Sequence, residues 1–132
     1  MRIQVFNPEE VIDVAEHLSS LEGEANARSA ISRAYYGVFL FARDLADIDD
    51  ECPTAHVDTW KHYVKCGEGE VADGLRELRR QRNVADYKTD LKISTRQSVE
   101  ALKTCRRTRA ALKRIAGRVR YRTALAVLAD SH

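Results

Sequence analysis

The stretch Ala27-Arg28-Ser29-Ala30-Ile31-Ser32-Arg33-Ala34-Tyr35-Tyr36-Gly37-Val38-Phe39-Leu40-Phe41 decides the fold. Ala27, Ile31, Ala34, Val38, Ala42 and Leu45 recur at helical spacing, so they form one stripe of a helix over about 25–47. Tyr35, Tyr36, Phe39, Leu40 and Phe41 make the middle of that helix apolar nearly all round. A helix without a polar face belongs at the centre of a bundle or in an interface. Arg33 is the one charge in this middle section. Buried polar groups need partners, so Arg33 is expected to find one, either a neighbouring helix or a ligand.

Working outward, Asn7 is a good N-cap, Pro8 suits the first helical position and Glu10 completes a capping-box-like start. Val11, Val14, Ala15 and Leu18 give the first helix its stripe, and Gly23 is expected to end it. An acidic loop runs from Asp47 to Pro53. A short helix follows from about Thr54 to Cys66, with Trp60, Tyr63 and Val64 inward, and Gly67 and Gly69 break it. The fourth helix spans about Glu70 to Tyr87 on a Val71, Leu75, Leu78 stripe. Ser94 and Gln97 make a capping box for a fifth helix, which ends at Gly117 or at about Leu128. The class is therefore all-α, a bundle of four to five helices in a single domain over 1–132 with a basic C-terminal helix at about 94–129.

Composition narrows the function. Of 132 residues 44% are hydrophobic and 32% charged, which suits a globular chain with a solvated surface. No run approaches a membrane span, and the first residues lack the regions of a signal peptide, so a cytoplasmic location is expected. Cys52, Cys66 and Cys105 contain no CxxC and read as reduced thiols. Cys52, His56, His62 and Cys66 resemble a metal quartet, but His56 would point about 120° away from His62 and Cys66 on a helix. No metal is expected, because zinc needs convergent ligands. No cofactor is expected either, since the chain has no Gly-rich phosphate loop, no GxSxG and no convincing pair of catalytic carboxylates.

The net charge of +2 conceals an asymmetry. Residues 7–24 hold six acids and no Lys or Arg, whereas residues 101–129 hold nine Lys or Arg and no acid. On the fifth helix Ala101, Cys105, Leu112, Ile115 and Val119 share one side, and Lys103, Arg106, Arg107, Lys113, Arg114 and Arg118 the other. That cationic face either balances the acidic first helix or meets an acidic partner or RNA phosphates, with Arg106, Arg107, Lys113 and Arg114 as the candidate phosphate contacts.

Two segments carry a family resemblance. Arg28 to Phe39 is similar to the second helix of the HEPN family, whose core reads Arg-Ala-Tyr-Tyr. Leu78-Arg79-Arg80-Gln81-Arg82-Asn83-Val84-Ala85-Asp86-Tyr87 resembles the Arg-Asn-x-Ala-Asp-Tyr version of its functional motif. Thr54-x-His56 fits its middle helix, and order and spacing agree across about Asn7 to Ile115. The resemblance implies an up-and-down, usually dimeric bundle from prokaryotic toxin–antitoxin or antiphage systems. Active members use an arginine and a histidine separated by four to six residues, from two protomers, as a metal-independent ribonuclease site. There the His moves a proton at the ribose 2′-OH and the Arg holds the scissile phosphate.

This chain departs from that pattern. The residues four to seven places after Arg82 are Asp86, Tyr87, Lys88 and Thr89, and all four histidines (His17, His56, His62, His132) are distant in sequence. Tyr87 stands in the place of the His, and with a reference pKa of about 10 it is a poor base at neutral pH. Arg82, Asn83, Asp86 and Tyr87 are thus the candidate catalytic set, and Arg33, Tyr36 and Arg79 are candidate ligand contacts. Arg82 and Asp86 could equally be an intrahelical ion pair, and the aromatics core rather than base-stacking platforms.

Three functions follow as expectations. The chain is a weakly or non-catalytic RNA- or nucleotide-binding module, an active ribonuclease, or a structural partner of a nucleotidyltransferase or larger effector. It is expected to form a homodimer, or a hetero-complex through the same surface, packed on the second and fourth helices.

Overall fold

A computed structural model of the chain describes residues 6–130. Those residues form five helices and no strand: α1 (Glu9–Ser19), α2 (Glu24–Leu45), α3 (Ala55–Lys65), α4 (Gly69–Tyr87) and α5 (Thr95–Asp130). Among the described residues no helix is long and apolar enough to cross a membrane. His132 and the first five residues lie outside the described part.

The ends of the helices follow local chemistry. The Asn7 side chain accepts the Glu9 N–H at 3.0 Å just ahead of α1. At α5 the Ser94 N–H donates to Gln97 Oε1 at 2.7 Å and the Gln97 N–H to Ser94 Oγ at 3.3 Å, the reciprocal pair expected of a capping box. Helix α1 stops at Ser19, where Ser20 Oγ donates to the His17 carbonyl at 2.6 Å. Gly23, expected to end α1, instead precedes α2, with a φ of 107° that side-chain-bearing residues rarely adopt.

Helix α2 is the central element and packs against each of the other four. Its stripe Ala27, Ile31, Ala34, Val38 and Ala42 is buried, as are Tyr35 and Phe39. Val71, Leu75 and Leu78 of α4 and Ala101, Leu102, Cys105 and Leu112 of α5 complete the core. Burial pushes the Cys105 thiol up to about 12, which keeps it protonated and inert. The Tyr63 hydroxyl of α3 donates to the Ala42 carbonyl at 2.7 Å and fastens α3 to α2.

Two glycines set the closest approaches. A Cβ on Gly37 would lie 2.5 Å from Ile12 Cγ1 and 3.1 Å from the Ile12 backbone nitrogen, so α1 rests directly on the α2 backbone. A Cβ on Gly74 would lie 2.0 Å from Thr108 Oγ1, which brings α4 equally near α5.

Four expectations are corrected. Helix α1 buries Ile12 and Ala15, not Val14, because the Gly37 gap receives Ile12. Val64 is exposed, whereas Tyr63 is buried as expected, and α3 turns Ala55 and Thr59 inward beside it. Val119 is exposed because α5 runs unbroken past Gly117 to Asp130, beyond the helices that could cover it. Arg33 is exposed too: it lies about 140° round α2 from the centre of the buried stripe, so water solvates it.

The charge asymmetry resolves largely into ion pairs. Arg106 meets Glu16 at 2.5 Å and Lys113 meets Glu9 at 2.7 Å, joining α5 to α1. Arg114 meets Glu70 at 3.3 Å and Arg118 meets Glu68 at 2.5 Å, joining α5 to the start of α4. The Arg106 guanidinium holds the Glu16 carboxyl below its ordinary range. Reversing Arg106, Lys113 and Arg114 to Glu should therefore lower stability, by about 1–3 kcal/mol in total, since exposed pairs contribute about 0.2–1 kcal/mol each and reversal opposes carboxylate to carboxylate. Urea midpoints at low and high salt check this. The loss should shrink at high salt, where exposed charges are screened.

Candidate functional site

The three segments that carry the family resemblance meet in one place. From α2, Arg28 donates to the Ala85 carbonyl at 2.8 Å, the Lys88 carbonyl at 3.2 Å and the Leu91 carbonyl at 2.5 Å. These bonds satisfy carbonyls at the α4 C-terminus and in the segment just after it, and they tie that end of α4 to α2. Arg28 is itself held by Glu24 at 3.0 Å. One turn further along α2, Ser32 Oγ donates to Asp86 Oδ2 at 3.1 Å.

The Arg82 side chain enters this junction from α4. Arg82 is only 6% exposed, and its guanidinium carbon lies 5.4 Å from the Tyr35 ring centroid and 5.1 Å from that of Tyr36. Its charge is thus balanced partly by two aromatic faces. Its carboxylate neighbour is Asp86, Nη1 to Oδ2, at 3.9 Å, too long for a hydrogen bond. Arg82 Nε is buried with no hydrogen-bond partner among the described residues, and so is Arg79 Nε, one turn earlier. The expected Arg82–Asp86 ion pair is therefore present but loose. Two adjacent arginines retain unused donors.

Helix α3 adds His56. Its Nδ1 lies 2.5 Å from the Tyr35 hydroxyl, and its ring stacks on Phe39 with centroids 4.3 Å apart and planes 10° apart. The Tyr36 ring meets it edge-on at 6.5 Å. Burial, and then the charges of Arg79, Arg82 and Arg43, bring the His56 pKa down from 6.5 to about 4. Burial also pushes the Tyr35 phenol well above its ordinary value.

His56 makes stability depend on pH, and the sign is definite. Below pH 6.5 the unfolded chain takes up a proton that the folded chain refuses until about pH 4. Stability from this group is complete above 6.5 and is lost as pH falls from 6.5 to 4. The urea midpoint should drop between pH 7 and pH 5 in the unaltered chain. In His56→Gln that drop should be smaller.

Of the residues singled out in the sequence, the fold unites Arg79, Arg82, Asp86 and Tyr36. It leaves Asn83 and Arg33 exposed and Tyr87 70% exposed, none of them in the contacts just described. Tyr87 lies five residues after Arg82, about 140° round the helix. Of the α5 cations, Arg106, Lys113 and Arg114 face carboxylates, and Arg107 has a 3.4 Å bond to Thr104 Oγ1. His62 lies against Cys66 at 3.6 Å while Tyr35 holds His56, which divides the apparent metal quartet. Among the described residues no group of three or more His, Cys, Asp or Glu is placed to hold a metal ion. Arg28 and His56 are the residues that sequence reasoning passed over as site components. Their signal was their place in the quoted segments, four and twenty-one residues respectively from Ser32 and Tyr35.

Among the described residues, fold and site together define an all-helical bundle in which a buried arginine, Arg82, lies against two tyrosine rings with Arg79 one turn away. The chain is similar to an archaeal protein of Methanocaldococcus jannaschii named only as uncharacterized. Identity is 29% over a 122-residue alignment that covers 74% of this chain and 69% of that protein. No family model and no solved structure matches the chain.

Proposed function

We propose that this chain is a HEPN-type module, an up-and-down bundle that binds RNA or a nucleotide in a cytoplasmic toxin–antitoxin or antiphage system of a prokaryote. It cleaves RNA weakly or not at all. One observation carries the reading: Arg82 is almost wholly buried, yet among the described residues its Nε has no hydrogen-bond partner and its nearest carboxylate oxygen lies 3.9 Å away, while the Nε of Arg79 one turn earlier is equally unused. A buried guanidinium nitrogen without an acceptor is costly, and a phosphate supplies the bidentate acceptor that neither Nε has among the described residues. The convergence of Arg28, Ser32, Tyr35 and His56 on the α4 motif supports the family reading, because the resembling segments form one contact network.

His56 also favours a second reading, an active ribonuclease, since it places an imidazole beside the arginines. Its Nδ1 is engaged by Tyr35, however, which limits its use as a base. The partner in the cell is a second copy of the chain, a nucleotidyltransferase or a larger defence effector.

The test is fluorescence anisotropy with a labelled oligoribonucleotide. Arg82→Ala and Arg79→Ala should each weaken binding about tenfold or more, given about 1.5–3 kcal/mol for a hydrogen bond to a charged group. Circular dichroism establishes that each variant is folded. Unchanged affinity in both folded variants would overturn the proposal.

A further inference from the structure

We propose that His56 is a third donor of the phosphate site, presenting its Nε2–H to a phosphoryl oxygen that Arg79 and Arg82 also hold. This rests on the reading of the arginine pair as an RNA or nucleotide site.

Tyr35 is buried, and among the described residues the hydrogen-bond partner of its hydroxyl is His56 Nδ1, at 2.5 Å. A buried hydroxyl that keeps its proton must donate it, and burial holds the Tyr35 proton firmly in place. The phenol therefore donates to Nδ1, which must be the unprotonated nitrogen of the ring. The ring's own proton then sits on Nε2. Stacking on Phe39 at 4.3 Å, with planes 10° apart, fixes the ring orientation. Tyr35 thus does two things: one face of its ring lies over the Arg82 guanidinium, and its hydroxyl sets the His56 tautomer.

Burial, and then the charges of Arg79, Arg82 and Arg43, disfavour an imidazolium, which keeps the ring neutral at physiological pH. A neutral Nε2–H on a ring that feels the charges of Arg79 and Arg82 and shares Tyr35 with Arg82 completes a donor set for an oxyanion. It has no lone pair free to take a proton from a 2′-OH. The same geometry that makes His56 a ligand contact makes it a poor general base.

Nitrogen-15 spectra of the imidazole in the full chain test this at pH 7. The expected state is Nε2–H, and the His56 ring signals should move on saturation with either of two probes. Adenosine monophosphate represents a free nucleotide, and a hydroxyl-ended oligoribonucleotide represents internal phosphates. A response to the first alone assigns a terminal phosphate, and a response to the second assigns the RNA backbone. His56→Ala should weaken binding of the responding probe about five- to tenfold, the worth of one net hydrogen bond. His56→Gln, whose amide keeps a donor near the Nε2 position, should recover most of it. An Nδ1–H tautomer, or a ring that stays unmoved at saturation while Arg82→Ala abolishes binding, would overturn this inference and leave the arginine site standing. Absence of binding by both probes would overturn the arginine site and the inference together.

Discussion

Gly37→Val should remove a large part of the stability of the bundle. A Cβ there would lie 2.5 Å from Ile12 Cγ1 and 3.1 Å from the Ile12 backbone nitrogen, and 3.4 Å from the Pro8 carbonyl. Two of those neighbours are backbone, so α1 as a whole must move. Glycine-to-alanine in a helix interior ordinarily gains about 1 kcal/mol. Overpacking costs about 1–3 kcal/mol and occasionally more. The second effect should win in Gly37→Ala, and Gly37→Val should lose about 3 kcal/mol or more, a large part of the 5–15 kcal/mol typical of a domain. Gly117→Ala is the control, because a Cβ there meets open space. Urea denaturation reads all three. A gain in Gly37→Ala would mean that α1 and α2 do not approach so closely.

Ribonuclease activity of the purified chain should be absent, or at least about a hundredfold below that of a relative with the motif histidine, since a general base contributes about 10²–10⁴-fold. Tyr87 cannot supply the base, being exposed and on another face of α4 from Arg82. His56 cannot readily do so, because Tyr35 occupies its Nδ1. Any residual cleavage should disappear in Arg82→Ala, which lacks the fork that holds a phosphate. A labelled RNA incubated with each protein, with products resolved on a gel, checks both statements. Vigorous cleavage surviving Arg82→Ala would place the chemistry elsewhere.

Much of the bundle can be read from local sequence, and its limits are instructive. The α2 stripe, the Ser94–Gln97 capping box and the α4 stripe depend on residues within a few turns of one another, and the structure contains all three. Val14, Val64 and Val119 were expected inside because helical periodicity locates an apolar face. It does not say which part of that face a neighbour covers. Ile12 displaced Val14 because of a gap at Gly37, on another helix. The pairing of α5 cations with α1 acids was one of the readings left open by the charge asymmetry, and tertiary contact was needed to show it.

The site was legible only in half. Arg79, Arg82 and Asp86 follow from one helix and its motif. His56 is twenty-six residues from Arg82 in sequence, and only the docking of α3 against α2 brings it alongside. Tyr87 looked important by its spacing in the motif, and the 100° step of the helix turns it away.

Where RNA binds is the question on which the account stands. It is read most directly by titrating one labelled oligoribonucleotide, at fixed salt, into the unaltered chain, into Arg82→Ala, and into a variant with Arg106, Lys113 and Arg114 changed to Gln. The account predicts that Arg82→Ala loses about tenfold or more in affinity. The α5 variant should lose less, because those cations already face Glu16, Glu9 and Glu70. Full affinity in folded Arg82→Ala, with binding lost in the α5 variant, would contradict it.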